Sequence, residues 1–375
     1  MYEIGNDEIE ALKNLFSSRK LFRYQGNNKS QCDLLEKRFS SYLGRGNSLL
    51  VNTGTNALIL SLHTLGIKAG DEVLVPSYAF IADIVAIQKF GAKPIVVNVD
   101  DNLSLDLQDA QNKLTKQTKA MILVYMDGLF PKIENYLEFC HKNSLLLIED
   151  VAQALGGEYQ GKKLGSFGDA SCFSFNVDKI ITAGEGGLVN FKNLEAFKKA
   201  LMLHDFPVKF GKTYNQYLAD VDYELGYSMR VSEITAALLN VQLDKLPSIV
   251  NKLRMHRQAL IEAAPHLPWI KASDDQNQAS TQVLLKCQSA KQVAELTTQL
   301  LGLGIEALPL YGKPVHCFWQ WHELIYPEVR ERKFFEMSMV EQRIHLSSIL
   351  KIPISYDANI FEKQIDFVKS LKLNN

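Results

Sequence analysis

The chain has 375 residues, 46% hydrophobic and 22% charged, with a formal net charge of −1. It is long enough for two domains of ordinary globular composition and carries no basic excess for neutralising the phosphates of a nucleic acid. Its five cysteines, Cys32, Cys140, Cys172, Cys287 and Cys317, are scattered and form no C-x-x-C pair, which argues for a reducing compartment and against a disulfide framework or a metal site. No apolar run approaches the roughly 20 residues of a membrane helix, and the acidic start from Met1 to Glu8 is unlike a secretory signal, so a cytoplasmic location is the expectation.

Ile9, Leu12, Leu15 and Phe16 recur at helical spacing and predict a short amphipathic helix over 6–19. A loop follows at 20–29, with Arg23, Tyr24 and Gly26. Ser30-x-x-Asp33 reads as a capping box with Asp in place of the usual Glu or Gln, opening a helix that stops at Gly44. The chain then alternates. Strands are predicted at 48–51, 72–75, 95–99, 120–125 and 145–148, with helices at 55–65, 80–90, 107–114 and 133–142 between them. The strands are short and apolar on both faces, as parallel strands buried between helices are. An open α/β sheet of this kind binds its ligand at the carboxyl ends of the strands. A further strand over 170–175 leads into a lysine and a glycine cluster.

Beyond it, helices are predicted at 194–203 and 232–246, with a loop at 205–222 between them. Pro247 and a helix running to about 264 form a hinge-like crossing. A smaller alternation then follows: a strand near 282–286, a helix at 290–301, a strand near 305–308 and a last helix at 360–371. The expected division is an N-terminal arm and large domain over 1–248 and a small domain over 249–375.

Four stretches have the residue types for chemistry, and each has a plainer reading. Asn52 to Ala57 joins a buried strand to a helix. Gly54 permits a tight turn, and the N–H groups of Thr55 and Asn56 at the positive end of the helix suit a phosphate, although a threonine-capped turn needs no more than the same residues. The lysine of a Walker loop is missing. Asp150 ends a buried strand facing the ligand crevice, with Gln153 one helical turn on; it either meets the ligand or caps the next helix. Phe80 follows a third strand and either stacks on a flat ligand or packs in the core. Ser174 to Gly187 runs from an apolar strand through Lys179 to a glycine cluster that allows close approach of backbone to a ligand, although a lone lysine more often stands in solvent.

Taken in this order the motifs resemble those of the DegT-type nucleotide-sugar aminotransferases. These are a branch of the fold-type I, aspartate aminotransferase-like enzymes that use pyridoxal 5′-phosphate (PLP). Asn52–Leu58 is similar to the family's S-G-T-x-A-L. Gly70–Val73 with Pro76–Phe80 is similar to G-D-E-V-i-v-P-s-f-T-F, and Glu149–Ala154 to E-D-a-A-Q-A. Phe173–Gly187 is similar to f-S-F-x-x-x-K-x-x-x-x-G-E-G-G, and Gly226–Arg230 to G-y-N-y-R. The resemblance covers nearly the whole chain. It implies a large α/β domain with a mainly parallel sheet sandwiched by helices, and a smaller α+β C-terminal domain.

The resemblance also implies roles. Lys179 is the Schiff-base lysine and proton carrier. Asp150 pairs with the pyridine nitrogen, Gln153 with the ring hydroxyl, and Phe80 stacks on the ring. Gly54, Thr55, Asn56 and Ser174 hold the phosphate. Family members are homodimers with shared active sites, so Ser228 and Arg230 act in the partner's site. Arg23, Tyr24, Lys313 and His316 are the remaining candidates for substrate contact, and no metal is called for. Three positions depart from the pattern: Ser228 stands for Asn, Ala79 for Thr and Asn176 for His. The implied reaction moves an amino group from glutamate or glutamine to a keto sugar, for an amino sugar of a surface polysaccharide or related glycoconjugate. Arg23-Tyr24 and the acidic stretch from Asp100 to Asp106 also resemble a subgroup that forms 8-amino-3,8-dideoxy-octulosonate. The alternatives are a sugar dehydratase of the same fold, in which a His replaces the lysine, and a non-catalytic binding or regulatory module.

Overall fold

A computed structural model of the chain describes residues 3–25, 30–205, 226–310, 315–318 and 345–372. Helix α1 (Asn6–Ser18) ends at Arg19, which is left-handed at φ 56°. Helix α2 (Gln31–Leu43) opens on the expected box: Ser30 Oγ accepts the Asp33 N–H at 3.0 Å, and Asp33 Oδ2 accepts the Ser30 N–H at 3.3 Å. Aspartate therefore does here what Glu or Gln usually does.

The alternation that follows is β1 (Asn47–Val51), α3 (Gly54–Thr64), β2 (Glu72–Pro76), α4 (Ile81–Gln88), β3 (Lys93–Val97), α5 (Leu107–Lys113), β4 (Thr118–Val124), α6 (Ile133–Lys142) and β5 (Leu146–Asp150). A two-residue hairpin, β6 (Glu158–Tyr159) and β7 (Lys162–Lys163), precedes β8 (Ala170–Ser174), β9 (Gly187–Phe191) and α7 (Leu194–His204). Helix α8 (Glu233–Ala263) leads to β10 (Trp269–Ile270), β11 (Gln282–Lys286), α9 (Ala290–Gly302), β12 (Leu308–Pro309), β13 (Ile349–Pro353) and α10 (Ala358–Ser370).

Seven strands form the large sheet in the order β1-β9-β8-β5-β4-β2-β3. All run parallel except β9, which lies antiparallel between β1 and β8. No strand is expected here from the sequence, where Gly187 reads as the end of a glycine-rich loop. In fact Gly187 starts the strand and pairs with Val51 on one side and Ser174 on the other. The strands are buried on both faces, with Leu49, Leu50, Val73, Leu74, Val75, Met121, Ile122, Leu123 and Ile148 excluded from solvent; α2, α3, α6 and α7 pack against them.

The second sheet, β10-β11-β13-β12, is antiparallel; β13 is not among the strands expected from the sequence. Helix α8 also corrects an expectation. It runs unbroken through Pro247 for 31 residues instead of being divided there. The proline removes one ladder hydrogen bond, while burial of Leu246, Ile249, Val250 and Leu253 against neighbouring elements holds the helix together. A division of the chain near residue 248 stays our proposal. No helix among the described residues is long and apolar enough to cross a membrane.

Candidate active site

The carboxyl ends of β2, β4, β5 and β8 open on one cavity of about 660 Å³, where a parallel sheet places its ligand. At one side, Thr53 caps α3, its Oγ1 accepting the Asn56 N–H at 3.0 Å. The N–H groups of Gly54 and Thr55 precede that bond and point out with the positive end of the helix. Asn56 was expected to offer its backbone N–H to a phosphate. The structure commits that N–H to the cap and the Asn56 side chain to Asn52 Oδ1, at 2.6 Å, so Asn56 does not line the cavity.

Ser174 closes the same corner. A Cβ added to Gly54 would fall 2.8 Å from Ser174 Cβ, and one added to Gly187 would fall 2.3 Å from the Thr53 carbonyl oxygen. The first of these positions, and Gly187 of the predicted cluster, are therefore glycines because two strand ends crowd the helix start. The close approach made by Gly187 is to backbone, not to a ligand.

Lys179 follows in the turn after β8, its N–H donating to the Asn176 carbonyl at 3.1 Å. It lines the cavity together with Asp150, Gln153, Phe80 and Ser174. Asp150 Oδ1 accepts the Ala152 N–H at 2.8 Å, so the carboxylate both caps the turn after β5 and faces the cavity. Phe80 is 40% exposed, with its ring 5.5 Å from that of His316. His316 reaches the site because 315–318 lies along 77–81: the Ala79 N–H donates to the His316 carbonyl at 3.0 Å, and the Phe318 N–H to the Ser77 carbonyl at 2.9 Å. Asn176, in place of a common His, lines the cavity and donates from Nδ2 to Glu185 Oε1 at 2.9 Å.

Three groups here had gone unnoticed in the sequence. Asp83, fully buried on α4, neighbours Asp150. Burial pushes both carboxyls above the ordinary aspartate range. Asp83 rises furthest because the Asp150 charge and hydrogen bond act in the same direction, and the nearby Lys179 ammonium offsets part of both shifts. A lone acid in the otherwise apolar run Ile81-Ala82-Asp83-Ile84-Val85 was the available signal. Asp127, after β4, and Lys351, on β13, are the other two; they ion-pair at 2.7 Å, and Lys351 lines the cavity. The signals were an Asp-Gly turn at the carboxyl end of a parallel strand and a lysine inside an apolar strand.

Other expected substrate contacts lie elsewhere. Arg23 is 1% exposed, and its Nη2 donates to Glu36 Oε1 at 2.6 Å; the burial that makes this pair also keeps Arg23 away from the cavity lining, which corrects its assignment. The Tyr24 hydroxyl donates to Asp205 Oδ2 at 3.0 Å, and Arg230 ion-pairs with the same Asp205. Neither lines this chain's cavity. Tyr227 and Ser228 are exposed on the surface beside them. Lys313 lies outside the described residues. Asp100 and Asp106 are spent on turns, accepting the N–H groups of Asn102 and Ser104 and of Gln108 and Asp109, and Asp101 pairs with Lys286 at 2.9 Å.

The residues present suit PLP. The start of α3 offers two open N–H groups and Ser174 a hydroxyl for a phosphate; a carboxylate, an aromatic ring and a lysine line the same cavity, and the lysine stands close enough to both aspartates to lower their pKa values. Asp150 and Asp83 are buried acids whose surroundings lack a full counter-charge, and a protonated ring nitrogen is the cation such a site accepts.

The family model described as the DegT/DnrJ/EryC1/StrS aminotransferase family matches residues 2–342. The GDP-perosamine synthase of Escherichia coli O157:H7 is 34% identical over 275 residues, 73% of this chain and 74% of that protein. That of Vibrio cholerae is 35% identical over 223 residues, 59% of each chain, so the match spans less than two thirds of its length. Among solved structures, an aminotransferase from Psychrobacter cryohalolentis superposes with a TM-score of 0.83 over 98% of this chain and 97% of that one, at 22% identity; this likeness concerns the fold.

Proposed function

The chain belongs to the DegT/DnrJ/EryC1/StrS aminotransferase family, and from that footing we propose that it is a PLP-dependent aminotransferase acting on a nucleotide-linked keto sugar. The observation that carries this reading is the meeting of Lys179, Asp150, Ser174 and the start of α3 in one cavity. PLP, when bound, supplies an electron sink and carries the amino group between substrates.

The protein's part is positional and protonic. Gly54 and Thr55 donate backbone N–H groups to the phosphate, joined by the Ser174 hydroxyl. Asp150 holds a proton on the pyridine nitrogen. Gln153 donates to the ring hydroxyl, and Phe80 covers one face. Lys179 would hold the cofactor covalently, and its amine would serve as the base and acid that moves a proton at the donor Cα. Glutamate or glutamine is the donor, and a homodimer places Ser228 and Arg230 at the neighbouring site. The names of the relatives favour a sugar linked to a nucleoside diphosphate. The octulosonate reading loses support, because the acids from Asp100 to Asp106 are committed to turns and to Lys286.

The test is a panel of nucleotide-linked 3-keto and 4-keto hexoses and a free keto sugar acid, with glutamate or glutamine as donor, followed by mass spectrometry of the products. The wild type should gain an amine on one sugar and show visible absorbance that borohydride bleaches, and Lys179→Ala should lose both. A Lys179→Ala protein as active as wild type would sink the proposal.

A further inference from the structure

Gln153 lines the cavity with its amide fixed from behind. Its Oε1 accepts the Asp127 backbone N–H at 3.0 Å. Only the oxygen can take that bond, so the NH₂ end is turned away from Asp127. The amide's orientation therefore depends on where the Asp127 N–H points.

That N–H is held by an unusual amount of structure. Asp127 is a non-glycine residue in the left-handed region, φ 53° and ψ 24°, a conformation that aspartate tolerates but that needs support. Its side chain supplies the support. Oδ2 accepts the Tyr78 hydroxyl at 2.6 Å and Oδ1 lies 2.7 Å from Lys351 Nζ. Lys351 Nζ also donates to the Tyr78 oxygen at 2.9 Å, closing a triangle. The Asp127 carbonyl accepts the Ser280 hydroxyl at 2.6 Å. Tyr78 follows β2 in the large sheet, whereas Lys351 lies on β13 and Ser280 just before β11, in the second sheet. The Lys351 side chain is 3% exposed and that of Asp127 0%. In such a place neither charge is stable without the other.

We propose that Asp127 is a positioning residue for Gln153, and that Lys351 and Tyr78, acting through Asp127, tie the presentation of the Gln153 amide to the seating of the C-terminal sheet. The inference rests on the reading of the cavity as a PLP site. It gives Lys351, a cation facing the cavity, a role that needs no substrate anion: its charge is spent on Asp127. Movement of β13 would carry Lys351, loosen the turn and release the Gln153 amide.

A double-mutant cycle tests it. The dissociation constant of PLP is measured on cofactor-free protein by quenching of tryptophan fluorescence, for wild type, Lys351→Met, Gln153→Ala and the pair together. Lys351→Met should weaken PLP about tenfold, the worth of one well-placed hydrogen bond in a dry site. On the Gln153→Ala background it should add less than about twofold. Should Lys351→Met fail to fold, Tyr78→Phe removes only the hydroxyl and should weaken PLP about threefold, again without further effect when Gln153 is Ala. In the loaded protein, Tyr78→Phe and Gln153→Ala should move the pH midpoint of the visible absorbance in the same direction, which a purely structural role would leave in place. Equal losses on both backgrounds, or no loss in either, overturn the proposal while leaving PLP binding intact. A wild-type chain that binds no PLP overturns the cofactor reading and this inference with it.

Discussion

Gly54 and Ser174 meet so closely that a single methyl group on Gly54 would lie 2.8 Å from Ser174 Cβ. The contact follows from sheet order: Gly187 of β9 pairs with both Val51 and Ser174, and so draws the start of α3 against the end of β8. Gly54→Ala should therefore destabilise the protein by about 2 kcal/mol through overpacking and weaken PLP. Adding Ser174→Gly should recover most of the stability while leaving the cofactor weakly held, since the serine hydroxyl proposed to hold the phosphate is then gone. Urea unfolding and PLP titration of the two variants check this. Stability that stays low in the double variant would mean that the crowding is not with Ser174.

The neighbours Glu149 and Asp150 divide their work. Glu149 is fully buried, with Oε2 accepting the Tyr125 hydroxyl and the Gly165 N–H, each at 2.8 Å, and Oε1 accepting the Phe167 and Gly168 N–H groups, each at 2.7 Å. It anchors the loop before β8, and Asp150 alone faces the cavity. Glu149→Gln turns an NH₂ toward donors that need an acceptor, so it should cost about 3 kcal/mol. A shift of the urea midpoint with no change in the position of the visible absorbance band is the expected result.

How far the sequence reached depends on what kind of signal each residue carries. The parallel strands and the capping box at Ser30 were legible because hydrophobic runs and cap chemistry are local. Asp150 and Ser174 at strand ends, and Gln153 and Lys179 just beyond them, line the cavity as their positions in the sequence suggest, while the roles proposed for them come from family resemblance. β9 was missed because its first residue is Gly187, whose partners, Val51 and Ser174, are distant in sequence. Asp127 and Lys351 were missed for the same reason: a buried ion pair between residues more than two hundred positions apart has no local pattern. Arg23 was misplaced because a lone arginine in a loop reads as exposed, and only the fold brings Glu36 to it.

Phe80 presents a 40% exposed ring at the start of α4 and touches the His316 ring only edge-on. Its packing contribution to the fold is small, so Phe80→Ala should leave the urea midpoint nearly unchanged. Loss of a stacked ring should weaken PLP about tenfold, a little over 1 kcal/mol. The same variant losing stability without losing affinity would make Phe80 a core residue and remove it from the site.

Asp83 makes stability depend on pH in a direction opposite to that of most aspartates. Its carboxyl is pushed well above the ordinary range by burial and by Asp150, and a backbone hydrogen bond and Lys179 offset only part of the shift. The folded protein therefore holds its proton more tightly than the unfolded chain, where an aspartate titrates near about 4. Folding is then not penalised below that pH, and stability falls as pH rises from there toward the folded value. Asn in this position keeps the shape and a donor for Asp150 but has no proton to lose. Asp83→Asn should match wild type near pH 4 and become progressively more stable than wild type toward neutral pH. Urea midpoints of the two cofactor-free proteins across this range give the comparison. A constant difference between them would show that the Asp83 carboxyl is not held protonated against Asp150.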